Sequence, residues 1–148
     1  MEMTDKYVEI TRGEFSKLMS EYKAKEYIRS EEREIVYRIP LPNDLWIWVY
    51  STVTPKAGVS RKRGEDAIRT VLMYRNRKAV MKSSKTLRTK QWRKNLREKI
   101  QELEERTTDK VCPEGHPLVK RLSKRGGFFL GCSMFPECKY HAGKADSG

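Results

Sequence analysis

Three cysteines and two histidines are the only thiol and imidazole donors in this 148-residue chain, and all five fall in its last quarter, as Cys112, His116, Cys132, Cys138 and His141. Three cysteines cannot pair completely into disulfides. The amino-terminal stretch MEMTDKYVEITRGEF has no apolar leader segment, and no apolar run approaches the roughly 18 residues of a membrane span. A soluble, intracellular protein is therefore expected, and in that setting clustered cysteines point to a metal rather than to cross-links. A closed tetrahedral zinc site takes four donors. The three thiolates thus need one imidazole, and the sequence offers His116 and His141.

The residues between the donors fit that reading. The tail runs CPEGHPLVKRLSKRGGFFLGCSMFPECKY, two knuckles separated by a basic hairpin. The expected strands are residues 118–121 and 128–131, with Lys124, Arg125, Gly126 and Gly127 turning between them. Each knuckle presents two donors to one ion, and the ion replaces a core too small to form alone. Four protein ligands leave no open position for water, so the expected zinc is structural.

The segment resembles the small zinc ribbon repeated at the carboxy end of many type IA DNA topoisomerases. The resemblance is carried by Cys112-Pro113, Pro117-Leu118-Val119-Lys120-Arg121, Gly126-Gly127-Phe128-Phe129, Gly131-Cys132 and Pro136-Glu137-Cys138-Lys139. Where such ribbons have their second cysteine this chain has Gly115, followed by His116. An imidazole reaches further from its Cα than a thiolate, so His116 is the preferred fourth ligand of a set with Cys112, Cys132 and Cys138; His141 is its rival. The resemblance implies DNA binding, with single strands favoured. Lys120, Arg121, Lys124, Arg125 and Lys139 suit phosphate contacts, and Phe128, Phe129, Phe135 and Tyr140 offer rings. Phe128 and Phe129, alternating along a strand, are expected to divide between stacking and the ribbon's own core.

Charge points the same way. The chain has 32 Lys and Arg against 20 Asp and Glu, a formal +12, which favours a polyanionic partner. Hydrophobic residues at 37% are enough for a core.

Ahead of the ribbon the expected fold is α+β, an antiparallel sheet with covering helices, over residues 1–108, with the ribbon over 109–148. Residues 7–10 alternate as a short strand. Thr11 and Glu14 form a capping-box signature for a helix whose apolar face carries Phe15, Leu18, Met19 and Tyr22. A strand over 34–39, a turn through Pro40 to Asp44 and a return strand over 45–53 make a hairpin. Residues 54–64 form a basic loop. Residues 67–74 are expected as a strand, with 79–83 pairing against it. Trp92, Leu96, Ile100 and Leu103 mark a helix over 90–105, and residues 107–110 read as a linker.

In the return strand, Leu45, Ile47 and Val49 alternate with Trp46, Trp48 and Tyr50. One set is core; the other is either a second packed face or a base-stacking platform. Arg61, Lys62 and Arg63 of the basic loop, with Arg69 and Arg93, would supply charge. The order of elements is loosely similar to recombination annealing proteins. The expected function is sequence-tolerant binding or annealing of single-stranded DNA, with RNA left open, by a non-enzymatic protein. Annealing would imply rings or filaments of copies; simple binding, a monomer or a pair. Two other classes stand beside it: a zinc-ribbon adaptor in a DNA-processing assembly, and a metal-dependent nuclease built on Glu65 and Asp66.

Overall fold

The computed structural model describes residues 8, 10–28, 34–52 and 67–144. The first element is helix α1, Arg12–Ser20, opened by the expected capping box. The Thr11 hydroxyl accepts from the Glu14 N–H at 3.1 Å, and the Glu14 carboxylate accepts from the Thr11 N–H at 3.4 Å. A cap of this kind contributes about 1 kcal/mol.

Five strands follow as an antiparallel meander: β1 Lys25–Ile28, β2 Glu34–Pro40, β3 Leu45–Thr52, β4 Ala67–Tyr74 and β5 Lys78–Lys82, in the spatial order of their numbers. The short β6, Thr86–Leu87, pairs with the start of β4. Two hairpin turns hold left-handed residues, Asn43 and Asp44 between β2 and β3, Arg75 and Asn76 between β4 and β5. Asn and Asp tolerate that conformation, which matches the twist of the flanking strands. Helix α2, Trp92–Glu105, runs back over the sheet.

Alternation assigns the two faces of the sheet. Leu45, Ile47 and Val49 of β3, with Tyr37 and Ile39 of β2 and Leu72 and Tyr74 of β4, join Phe15, Leu18 and Met19 of α1 and Trp92, Leu96, Ile100 and Leu103 of α2 in one buried cluster. Phe15 lies between the Tyr37 ring, 5.2 Å away, and the Trp92 ring, 6.1 Å away. Both helices therefore lie on this face. No helix of the described residues is long and apolar enough to cross a membrane.

The carboxy-terminal unit is a second antiparallel sheet, ordered β10-β9-β8-β7, from β7 Thr107–Val111, β8 Pro117–Leu122, β9 Phe128–Cys132 and β10 His141–Lys144. The segment expected as a linker is thus strand β7. Its polar composition is that of an edge strand turned to water, and Thr108 fastens it by donating to the Leu118 carbonyl at 2.7 Å. The ribbon is packed against the first sheet: Val119 is fully buried within the main core, Lys78 pairs with Glu137 at 2.8 Å, and the Arg121 guanidinium donates to the Val80 carbonyl at 3.3 Å.

Strands β1, β6 and β10 were not expected from the sequence. The strand expected over residues 7–10 is not formed at Val8 or Ile10, whose neighbours Tyr7 and Glu9 lie outside the described residues; the Val8 N–H instead donates to the Arg88 carbonyl. The basic loop over 54–64 also lies outside them.

Candidate metal centre and nucleic-acid interface

The metal donors sit at strand boundaries and in the turns that join them. Cys112 follows β7, His116 precedes β8, Cys132 closes β9, and Cys138 lies in the turns after it. The first knuckle closes through the Gly115 N–H to the Cys112 carbonyl and the Cys112 N–H to the His116 carbonyl, both at 2.8 Å. Its tight path puts Gly115 at φ +89°, a conformation that side-chain-bearing residues rarely adopt. This is where the ribbon pattern exchanges its cysteine for glycine and moves the donor to the next residue. In the second knuckle the Met134 N–H donates to Cys132 Sγ at 3.3 Å, and the Cys138 N–H to the Met134 carbonyl at 3.0 Å.

The donor atoms of Cys112, His116, Cys132 and Cys138 all lie within 4.8 Å of one another. Cys112 Sγ is 4.0 Å from the sulfurs of Cys132 and Cys138, and His116 Nδ1 is 3.4 Å from the sulfurs of Cys112 and Cys132. A tetrahedron with Zn–S bonds of about 2.3 Å and a Zn–N bond of about 2.0–2.1 Å has edges of about 3.8 Å between sulfurs and about 3.6 Å from sulfur to nitrogen. The fit identifies a closed structural zinc site with a Cys3His donor set. The His116 and Tyr74 rings meet in a T-shaped contact, centroids 6.2 Å apart, so strand β4 of the first sheet helps to orient this ligand.

The rival donor is excluded. His141 pairs with Gly131 on the opposite face of the ribbon from Cys132, and its ring makes a T-shaped contact with Phe129. Backbone alternation along β9 separates the two faces, a separation invisible in residue counts alone.

Burial is the largest influence on the Cys132 thiol and pushes it up to about 12, with Cys138 and Cys112 adding to the rise. Burial also opposes ionisation of Cys112, but hydrogen bonds at His116 and Glu114 and from the other two thiols outweigh it and leave that thiol below its ordinary value. Three thiolates packed this closely require a cation, and zinc supplies it.

Arg121 is committed to structure. Its side chain crosses Gly131, where an added Cβ would lie 2.9 Å from Arg121 Cδ. The guanidinium donates to the carbonyls of Cys132, at 3.1 Å, and Val80. Burial holds this guanidinium below its ordinary value, against the pull of Cys132.

The other expected contacts divide between two surfaces. On the ribbon, Lys124, Arg125 and Lys139 are exposed and Lys120 is half-buried. Phe128 is exposed under the Arg106 guanidinium, which stands 4.5 Å from its centroid, and Phe129 is half-buried on the opposite face. On the first sheet, Trp46, Trp48 and Tyr50 are half-buried on the face away from both helices, and exposed Arg69 is the register partner of Tyr50. Arg93 lies with the helices, beside the Trp92 ring and 3.8 Å from Glu14, and so is not gathered with the other candidates. Arg61, Lys62 and Arg63, like Glu65 and Asp66, lie outside the described residues.

The ring face holds two participants that the sequence did not suggest. Arg38 of β2 is the partner of Trp48 and of Lys25, and its guanidinium carbon lies 4.5 Å from the Tyr27 centroid and 4.8 Å from that of Trp48. Trp48 is further fixed by donating its indole N–H to Asn76 Oδ1 at 2.7 Å. Alternation along β2 places Arg38 opposite in facing to Tyr37 and Ile39, but Tyr27 belongs to a strand of four residues, too short to show a pattern.

Comparison with known proteins adds one result. No curated protein and no solved structure matches the chain. Residues 109–144 match the family model of the topoisomerase DNA binding C4 zinc finger, and in this ribbon His116 completes the donor set that the C4 pattern fills with cysteine.

Proposed function

We propose that this protein binds single-stranded nucleic acid, DNA before RNA, with little regard for sequence, as a non-catalytic component of replication, repair or recombination. The observation that carries the reading is the sheet face turned away from the helices, where Arg38 lies against the rings of Tyr27 and Trp48, with Trp46, Tyr50 and Arg69 beside them. Every base has a π-face, so rings accept any sequence, and cations beside them hold the backbone. The resemblance of the ribbon to a DNA-binding zinc finger supports the same partner. The zinc, held by Cys112, His116, Cys132 and Cys138, fixes the ribbon's shape; phosphate contacts fall to Lys124, Arg125 and Lys139.

Fluorescence anisotropy of the zinc-loaded chain with matched single-stranded DNA, duplex DNA and single-stranded RNA, without magnesium, tests the proposal. Single-stranded DNA is expected to bind most tightly. With about four phosphates neutralised, the logarithm of affinity should fall against the logarithm of salt with a slope of about −2.8, a loss of about 50-fold between 50 and 200 mM. Affinity that does not change with salt, or absence of binding to every oligonucleotide, would contradict the proposal, and the latter result would favour a protein-docking adaptor.

A further inference from the structure

A groove of about 270 Å³ lies where the ribbon meets the first domain. Met81 and Leu103 form apolar wall, Leu122 and Phe129 come from the ribbon, and Lys82, Arg106 and Arg121 bring three cations against the carboxylate of Glu102. Among the described residues no carboxylate forms an ion pair with any of the three. The Arg121 Nε atom is buried without a hydrogen-bond partner, although the rest of its guanidinium is bonded to Val80 and Cys132. Cations without a carboxylate partner and a partly open ring in one small groove suit an anion joined to a flat apolar group.

Strand register places one member of this groove, Lys82 on the edge strand β5, at the end of the ring face, while Glu102, Leu103 and Arg106 lie past that edge on the helix side. Lys25, Arg38, Trp48, Val71 and Lys82 are successive cross-strand partners, one from each of β1 to β5. At the spacing of neighbouring strands this row is about 19 Å long. It runs across the strands from one edge of the sheet to the other, with cations at both ends and the Trp48 ring at its centre. Its last member, Lys82, also lines the groove.

From this geometry we infer that the groove is a single-nucleotide pocket that takes one unit of the strand crossing the ring face, with its phosphate between Lys82 and Arg106 and its base against Phe129. The inference rests on the proposed binding of single strands and adds a direction to it. The strand crosses the β-strands along the row and enters the junction beside the zinc ribbon. The volume is slightly below that of pockets for drug-sized ligands, in keeping with one nucleotide.

Amide NMR of the zinc-loaded full chain, titrated separately with an oligothymidylate and with thymidine monophosphate, tests it. The oligonucleotide is expected to shift the amides of Lys82, Arg106, Leu122 and Phe129 together with those of Trp46, Trp48 and Tyr50, at concentrations where the mononucleotide shifts neither set. In Lys82→Ala/Arg106→Ala, the salt slope for the oligonucleotide should become shallower by about 0.7, as the loss of one neutralised phosphate requires, with zinc content unchanged. Shifts confined to the ring face, with an unchanged slope in the variant, would overturn the pocket and leave single-strand binding standing. Shifts in the groove with the mononucleotide alone would make it a site for free nucleotide and overturn the strand path. No response to the oligonucleotide anywhere would overturn both readings.

Discussion

His116→Ala is expected to give up its zinc to a chelator that leaves one zinc per chain in the parent and in His141→Ala. The first substitution removes one of four donors from a closed site; the second removes a ring on the far face of the ribbon, against Phe129. Loss of a partner that only supports a ligand costs about 10–100-fold in metal affinity, so loss of the ligand itself should exceed about 100-fold. The effect should also reach the fold. Binding of a structural zinc contributes on the order of 10 kcal/mol to an isolated small module, and this ribbon holds Val119 in the main core and bonds Arg121 to strand β5. Thermal unfolding of His116→Ala should therefore begin lower, by about 2–4 °C for each kcal/mol of stability lost. Elemental analysis after competition with a chelator, followed by a melting curve, checks both statements. Full zinc retention in His116→Ala would remove it from the donor set.

Under the proposed binding of single strands, Trp48→Ala is expected to weaken affinity for single-stranded DNA by about 5- to 150-fold, the consequence of losing about 1–3 kcal/mol of stacking on one base. Trp48 also donates its indole N–H to Asn76, so loss of affinity alone could come from a disturbed β4–β5 turn. Trp48→Phe separates the causes, because it keeps a stacking ring and removes the hydrogen bond. Affinity should stay within about threefold of the parent in Trp48→Phe if stacking is the cause. A loss as large as that of the alanine variant would assign the effect to the hydrogen bond with Asn76. Melting temperatures of both variants show how much of the change belongs to stability.

How far the sequence disclosed these features depended on how local each one is. The donor set could be read because a metal knuckle is defined over a few residues, and the exchange of cysteine for Gly115 and His116 is visible inside one of them. The choice between His116 and His141 was harder, because it rests on the facing of β9 and on Tyr74 from another sheet. The hairpin of β2 and β3 announced itself through the alternation of β3 and an Asn-Asp turn, and the stripe Trp92, Leu96, Ile100, Leu103 lies on the buried side of α2. By contrast β1 and β6, four and two residues long, are too short for periodicity, and β7 carries the polar residues of an edge strand. The alternation of Leu45 to Tyr50 separated rings from aliphatic side chains, but it could not say which set the helices cover. Nor could it bring Arg38 against Tyr27, or move Arg93 to the helical layer. Those are facts of tertiary packing.

The central claim is that a single strand stacks on the ring face, and tryptophan emission during titration with an oligonucleotide tests it most directly. Trp92 is only 2% exposed in the core and serves as an internal reference, while Trp46 and Trp48 are half-buried on the proposed binding face. Saturable quenching that follows the anisotropy curve, and disappears in Trp46→Phe/Trp48→Phe, is the expected result. Saturable binding with unchanged tryptophan emission would place the strand elsewhere and contradict the account.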